Sequence, residues 1–376
     1  MNLFQVYPRF DINITHAKGV EVFDENNTNY LDLYGGHGVI SIGHSHPTYI
    51  DRLTKQLNEI GFYSNSILMP IQDELAQKLA EQSGYPNHQL FLCNSGAEAN
   101  ENALKLASFH NGKSKIIAFK GSFHGRTAAT LNVTDNEKLS AAINKNNFEV
   151  VFVELNDIDA LKKELSNNDV SAVIVEGIQG VGGLDQPSSS FLEATSKLCK
   201  QFDALLILDE IQSGYGRSGK FFAHQHSNIE ADIISMAKGM GNGFPIGGIL
   251  IHPSIEAKSG MLGTTFGGNH LACAAGIAVL DTLKNEQLTA NATKIGNFLI
   301  SELQSLTGIR QIKGKGLMLG VELNEAVAPL RTKLLKEYKI FTGASSNPNL
   351  LRILPPLGIT ATEIQPFIDA LKTELA

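Results

Sequence analysis

Seven short apolar runs, each closed by turn residues, recur between residues 89 and 251. They are Gln89–Cys93, Lys115–Phe119, Val150–Val153, Val170–Val175, Ala204–Leu208, Asp232–Met236 and Ile246–Ile251. A strand covered by helices on both faces loses the polar alternation of a half-buried strand and reads as an unbroken apolar run. Stretches of helical period lie between several runs. Ala99, Ala103 and Ala107 share one face after the first run, and Leu192 and Leu198 precede the fifth. The pattern predicts a large α/β domain around a seven-stranded, mostly parallel sheet.

From about Asn269 the pattern changes. A small-residue helix (Ala272, Ala275, Gly276, Val279, Leu283) is followed by strand-like Ile309–Ile312 and Gly316–Leu323, an amphipathic helix near Leu330–Tyr338 and strand-like Leu350–Leu354. Thr360-Ala361-Thr362-Glu363 has the spacing of a capping box and opens a last helix striped with Ile364, Phe367, Ile368 and Leu371. These elements predict a separate, small α+β domain over 269–376. Strand-like Val20–Phe23 and Tyr30–Leu33 are too little to fold alone, so residues 1–50 are expected to join that domain's sheet. Residues 51–268 are then the large domain.

The chain has 376 residues, 43% of them apolar and 18% charged, which excludes general disorder. Its net charge of −7 supplies no basic face for nucleic acid or an anionic membrane. No apolar stretch approaches the ~18–20 residues of a membrane span, and the first residues lack the pattern of a secretory leader. Cys93, Cys199 and Cys273 are odd in number and far apart, as expected of reduced thiols in a cytoplasmic protein. The 35 glycines exceed the average share of roughly 7%. Several clusters of them fall just after the apolar runs, where open α/β sheets bind their ligands.

Two common nucleotide motifs are absent. Gly216-Arg217-Ser218-Gly219-Lys220-Phe221 lacks the spacing and hydroxyl of a phosphate loop, and Gly239–Phe244 ends in phenylalanine where a dinucleotide fingerprint needs glycine. His44-Ser45-His46 and His224-Gln225-His226 have no Cys or carboxylate set at metal-site spacing, so they read as loop histidines and no metal is expected.

Three features remain. Lys238 ends the apolar run Ile233–Ala237 and opens into Gly239-Met240-Gly241-Asn242-Gly243. It is either a strand-end lysine in water or a desolvated, nucleophilic amine. Leu205–Leu208 ends in Asp209-Glu210, and a carboxylate there could keep a pyridine ring protonated as an electron sink. Ser95-Gly96-Ala97-Glu98 begins a helix after a strand, which suits a phosphate monoester but is also an ordinary turn.

Together these residues resemble the class III aminotransferases, fold-type-I pyridoxal phosphate enzymes that act on terminal amines. The resemblance runs from Tyr7 to the last helix. It implies pyridoxal 5′-phosphate as cofactor, Lys238 as Schiff-base lysine and general base, and Asp209 as partner of the ring nitrogen. Gln212 matches the residue that bonds the phenolic oxygen, Gly96 and Ala97 the phosphate cradle, and Phe123 the aromatic stacked on the ring. Thr265 matches a phosphate contact supplied by the partner subunit, which implies a homodimer.

For substrates, Arg126 matches the arginine that grips the α-carboxylate of an acylated ornithine, with Tyr7 and Thr264 beside it. Arg352 matches the arginine for the α-carboxylate of glutamate and 2-oxoglutarate; read alone, it would be a surface ion pair. The implied reaction transfers the terminal amine of N2-acetyl-L-ornithine, or of N2-succinyl-L-ornithine, to 2-oxoglutarate. The products are the N-acylglutamate 5-semialdehyde and L-glutamate, by ping-pong kinetics, in arginine biosynthesis. Ornithine and 4-aminobutyrate stay open as donors, and a catalytically silent binding protein on the same fold is the alternative from another class.

Two segments depart from the family pattern. Glu176-Gly177-Ile178-Gln179-Gly180-Val181-Gly182-Gly183 carries Val181 where relatives have the glutamate that masks the Arg352 equivalent. Arg352 is then expected to stay available, for instance to a second carboxylate on the donor. Gly35-Gly36-His37-Gly38 replaces an Ala-Val-Asn-like run, and His37 either lines the acyl pocket or is a structural loop histidine.

Overall fold

The computed structural model describes residues 1–144 and 148–376. All seven apolar runs are strands of one sheet. Its order is Gln89–Cys93, Gly247–Ile251, Ile233–Met236, Leu205–Asp209, Val170–Glu176, Lys115–Phe119, Val150–Val153. Neighbours are parallel, except that Gly247–Ile251 is antiparallel to both strands it lies between.

Successive residues of the central strands enter two different core clusters. Val173, Val175, Leu206, Leu208 and Ile234 pack on one face, and Ala172, Ile174, Leu205, Ile207 and Ile233 on the other. Each buried aliphatic side chain contributes about 1.5–3 kcal/mol, which is why neither face tolerates polar alternation. On the second face the Gly96–Asn111 helix buries Ala99, Ala103 and Ala107. The Ser95 side chain caps its start and Gly112, at φ 71, ends it.

The His270–Asn285 helix packs against the Pro47–Glu59 and Pro70–Ser83 helices. Beyond it lies an antiparallel sheet ordered Ile309–Lys315, Met318–Leu323, Leu350–Ile353, Gly343–Ala344. The last helix, Ala361–Glu374, has the expected capping box between Thr360 and Glu363.

One expectation needs correction. The N-terminal strands do not join that sheet. Ile14–Lys18, Glu21–Asp24 and Asn29–Asp32 form a sheet of their own, completed by Ile340–Phe341 lying parallel to Asn29–Asp32. The chain then crosses between sheets at Thr342, because Gly343–Ala344 pairs with Leu351–Arg352. Both pairings of this crossover are only two residues long.

Candidate active site

Neighbouring strands of the central sheet end in ionisable groups. Asp209 and Glu176 are register partners at the carboxyl ends of adjacent strands, and both are buried. One strand further on, Lys238 follows Ile233–Met236 with φ 46, a left-handed conformation that costs a non-glycine residue about 1–2 kcal/mol. These side chains, with Gly96, Ala97, Phe123, Arg126, Val181 and Gln212, line one cavity of about 390 Å³.

Asp209 is held on every side. Its Oδ1 accepts from the Ile211 N–H at 3.0 Å. Its Oδ2 accepts from Asn100 Nδ2 at 2.8 Å and lies 2.7 Å from His124 Nδ1. Asn100 also donates to the His124 carbonyl, tying the two partners together. Among the described residues Glu176 is held only by backbone, accepting from the N–H groups of Phe123 (3.0 Å) and Gly180 (2.8 Å). Burial raises its carboxyl to about 7, although His124 pulls the other way. Burial lowers the Lys238 amine to about 8, against the charges of Asp209 and Glu176, which favour its protonated form. A lysine this far below its ordinary value is neutral in a useful fraction near neutral pH.

Across the cavity the Gly96–Asn111 helix points its start inward. Ser95 Oγ takes the Glu98 N–H, which leaves the N–H groups of Gly96 and Ala97 with no intrahelical acceptor. A Cβ on Gly96 would lie 2.8 Å from Ile211, so only glycine permits this approach. Free N–H groups at a helix start suit a phosphate. Among the described residues the buried Nε2 of His124 has no partner, which leaves polar capacity beside Asp209. Cavity, cradle, buried carboxylate and depressed lysine fit pyridoxal phosphate.

Gln212 bridges the His37 turn and the Leu350–Ile353 strand, donating to the His37 carbonyl at 2.9 Å and meeting Arg352 Nη1 at 3.4 Å. Arg352 is 3% exposed, so it is not the surface ion pair that its sequence position suggested on its own. Its Nη1 also donates to the Gly180 carbonyl, and its Nε is buried without a partner. Arg126 is exposed on the cavity rim. Thr264 Oγ1 bonds Asn94 Nδ2 at 3.1 Å, close to the cradle. Thr265 and Tyr7 are exposed and do not line this chain's cavity.

The histidine pairs have separate fates. His44 meets Asp32, His46 meets Glu286, and His226 meets the Ser218 carbonyl. His224 is fully buried between Glu210 and Tyr85 rather than lying in a surface loop. The sequence reading did not single out Asn100, His124 or Glu176. The bonds of Asn100 and His124 to Asp209, and of Glu176 to the Phe123 N–H, span 53 to 109 residues, so no local spacing reveals them.

A family model described as aminotransferase class-III matches residues 5–375. The chain belongs to the class III aminotransferases. The acetylornithine aminotransferase of Bacillus subtilis (strain 168) is 41% identical over 380 residues, covering 100% of this chain and 98% of its own. The acetylornithine aminotransferase of Aquifex aeolicus is 37% identical over 377 residues, covering 98% of each. The crystal structure of Toxoplasma gondii ME49 ornithine aminotransferase superposes with a TM-score of 0.92 at 29% identity, covering 99% of this chain and 92% of that one. That of the acetylornithine aminotransferase from Elizabethkingia anophelis gives 0.84 at 29% identity, covering 98% and 94%. This class III aminotransferase therefore works on amino and 2-oxo acids and depends on pyridoxal phosphate.

Proposed function

We propose that this aminotransferase moves the terminal amine of an N-acylated ornithine, N2-acetyl-L-ornithine or N2-succinyl-L-ornithine, to 2-oxoglutarate, as a step of arginine biosynthesis in the cytoplasm. The observation that carries the reading is Arg126, an exposed guanidinium on the rim of the cavity that holds Lys238. A donor gripped there by its α-carboxylate presents its far end, not its α-amine, to the reacting lysine. The names of the acetylornithine aminotransferases that this chain resembles support the same donor class.

Pyridoxal phosphate, when bound, supplies an electron sink that acidifies the carbon bearing the amine. The chain's residues do the rest. Gly96 and Ala97 would take the phosphate on their N–H groups, and Phe123 would stack on the ring. Asp209, fixed by Asn100 and His124, would keep the ring nitrogen protonated, and Gln212 would bond the phenolic oxygen. Lys238 would hold the cofactor's aldehyde through its neutral amine, and as general base and acid it would move the proton at the reacting carbons. Arg126 holds the donor carboxylate, with Tyr7 and Thr264 nearby. Arg352 holds the α-carboxylate of glutamate and 2-oxoglutarate, its planar fork matching a carboxylate bidentately.

In this reading a homodimer completes the site, with Thr265 of one subunit reaching the other's phosphate. Exposed Phe4, Tyr7, Phe62, Tyr63, Leu68 and Phe266 support a face covered by a second copy. Residues 51–268 form the cofactor domain, and 1–50 with 269–376 the small domain.

The test is a comparison of kcat/KM for N-acetylornithine, N-succinylornithine, ornithine and 4-aminobutyrate with 2-oxoglutarate. Either acylated donor should exceed the two free amines by at least tenfold. A preference for ornithine or 4-aminobutyrate would overturn the reading.

A further inference from the structure

The run Gly216-Arg217-Ser218-Gly219-Lys220, which lacks the spacing of a phosphate loop, holds a cation deep inside the protein. Arg217 is 2% exposed, and among the described residues no carboxylate forms an ion pair with it. Its guanidinium donates to three main-chain carbonyls instead. Nη1 serves Leu317 at 3.3 Å and also Pro355, and Nη2 serves Ile40 at 3.1 Å. These acceptors are 100, 138 and 177 residues away along the chain. Burial works against the charge, with Asp32 opposing that effect, so the planar fork of donors is what recommends an arginine here.

Each segment that meets at Arg217 leads to the wall of the cofactor cavity. Its own loop begins there, since Gln212 lines the cavity. That loop is stiff: Ser213 Oγ donates to Glu210 Oε2 at 2.6 Å, and the Gly214 N–H to the Glu210 carbonyl at 2.9 Å. On the Ile40 side, Val39 lines the cavity, and Ser41 Oγ donates to the carbonyl of Gly239, next to Lys238, at 2.8 Å. On the Pro355 side, Arg352 lies three residues back, its Nη1 reaching the cavity-lining Gly180 and Gln212. The Leu357 N–H donates to the Ser41 carbonyl at 2.7 Å and joins these two sides. On the Leu317 side there is no slack. The Leu317 N–H returns a bond to the Arg217 carbonyl at 2.9 Å, and a Cβ on Gly316, at φ 57, would lie 2.7 Å from that oxygen.

We propose that Arg217 is a positioning residue for the acceptor half of the reaction, fixing the separation between Arg352 and Lys238. The proposal rests on the reading above in which Arg352 holds the α-carboxylate of 2-oxoglutarate. In a 2-oxo acid that carboxylate is bonded directly to the carbon that takes the amine. Grip and reacting carbon then have no flexible chain between them to absorb a misfit. The donor differs on both counts: several bonds separate its carboxylate from its reacting carbon, and its grip is Arg126, on another loop. A shift of the Arg352 segment therefore harms the acceptor and spares the donor. A lysine at position 217 keeps the charge but loses the fork that holds Ile40 and Pro355 on one rigid group.

The test follows the two half-reactions separately on one preparation of holoenzyme. The better of the two acylated donors, added alone, discharges the yellow colour, and 2-oxoglutarate then restores it. Second-order rate constants are measured for the wild type, Arg217→Lys, Ser41→Ala and Arg352→Gln. Arg217→Lys should slow the 2-oxoglutarate half about tenfold or more, since about 1 Å of misplacement can cost on the order of 10²-fold. The donor half should stay within about threefold, and the affinity of the apoenzyme for pyridoxal phosphate within about twofold. Ser41→Ala, which removes the bond to Gly239 with Arg217 intact, should show the same split more weakly. The ratio of the two halves does not depend on how much of a variant folds, and if Arg217→Lys gives no folded protein, Ser41→Ala decides. Both halves falling together, or cofactor affinity falling with them, makes Arg217 a structural residue only and overturns the proposal. Arg352→Gln checks the reading beneath it. If that variant leaves the 2-oxoglutarate half intact, the reading of Arg352 fails and takes the proposal with it. If it alone impairs that half, only the proposal falls.

Discussion

Glu176 and Asp209 leave the sheet side by side, as paired buried carboxyl groups on adjacent parallel strands, yet only Asp209 has side-chain partners. The difference predicts a pH signature. The folded cofactor-free enzyme holds the Glu176 proton more tightly than the unfolded chain, with a pKa of about 7 against 4.5. A raised carboxyl contributes stability that is complete below the unfolded value and is lost as pH rises through the folded one. Between about pH 4.5 and 7 the melting temperature of the apoenzyme should therefore carry a falling component that Glu176→Gln removes. Thermal melts of both proteins across that range measure it, and identical pH slopes would count against the assignment.

Lys238 predicts a second profile. With its amine at about 8 rather than 10.5, the fraction able to attack an aldehyde should rise roughly tenfold per pH unit and level off above 8. The rate at which apoenzyme regains absorbance with added pyridoxal phosphate reports this directly. Lys238→Ala should stay colourless after borohydride and dialysis and lose about 10²–10⁴ in rate, the range for removing a positioned acid–base group.

The partners of Asp209 are expected to act on the cofactor rather than the substrate. His124→Ala leaves one carboxylate oxygen with Asn100 as its only side-chain donor in a buried site. Loss of a hydrogen bond to a charged group is worth about 1.5–3 kcal/mol. Affinity for pyridoxal phosphate, measured by titration of the apoenzyme, should fall about tenfold or more. KM for the amine donor should change much less.

Two glycines with equally severe collisions should give opposite phenotypes. A Cβ on Gly180 meets Gln212 Oε1 at 2.1 Å, the far end of a flexible side chain, so Gly180→Ala displaces Gln212 and spares the fold. A Cβ on Gly296 meets the Gly316 carbonyl oxygen at 2.1 Å, where only backbone movement gives relief. Gly180→Ala should lower kcat at least about tenfold with a nearly unchanged melting temperature. Gly296→Ala should cost about 1–3 kcal/mol of stability, the range for overpacking, with kcat preserved in the folded fraction. Chemical denaturation alongside kinetics separates the two.

The central sheet was legible because burial on both faces writes an unbroken apolar run into the sequence, and Val170–Glu176 and Leu205–Asp209 are buried along their whole length. The small sheets were less so. Ile340–Phe341 is too short to carry a period, and that pair alone decides which sheet the N-terminal strands join. At the site, Lys238 and Asp209 were visible because each ends an apolar run. Asn100 and His124 were not, since their role exists only when a helix and a distant loop meet over Asp209. Arg352 shows the limit most clearly. An arginine in an apolar strand reads as a surface residue by composition, and only the fold buries it beside Gln212.

The reversed strand Gly247–Ile251 has a consequence for how the molecule comes into being. Gln89–Cys93, the earliest strand of the central sheet in chain order, sits at its edge and pairs only with Gly247–Ile251. During synthesis every other strand of the sheet has been made by residue 236, yet the edge strand still lacks its neighbour. Gly96 follows the edge strand and Lys238 follows the strand on the opposite side of the insertion, so the phosphate cradle and the reactive amine are brought together last. Closing contacts across so long a chain segment is slow. Pyridoxal phosphate thus meets a receptive protein only after this insertion, and its binding energy then selects the finished sheet over every incomplete one.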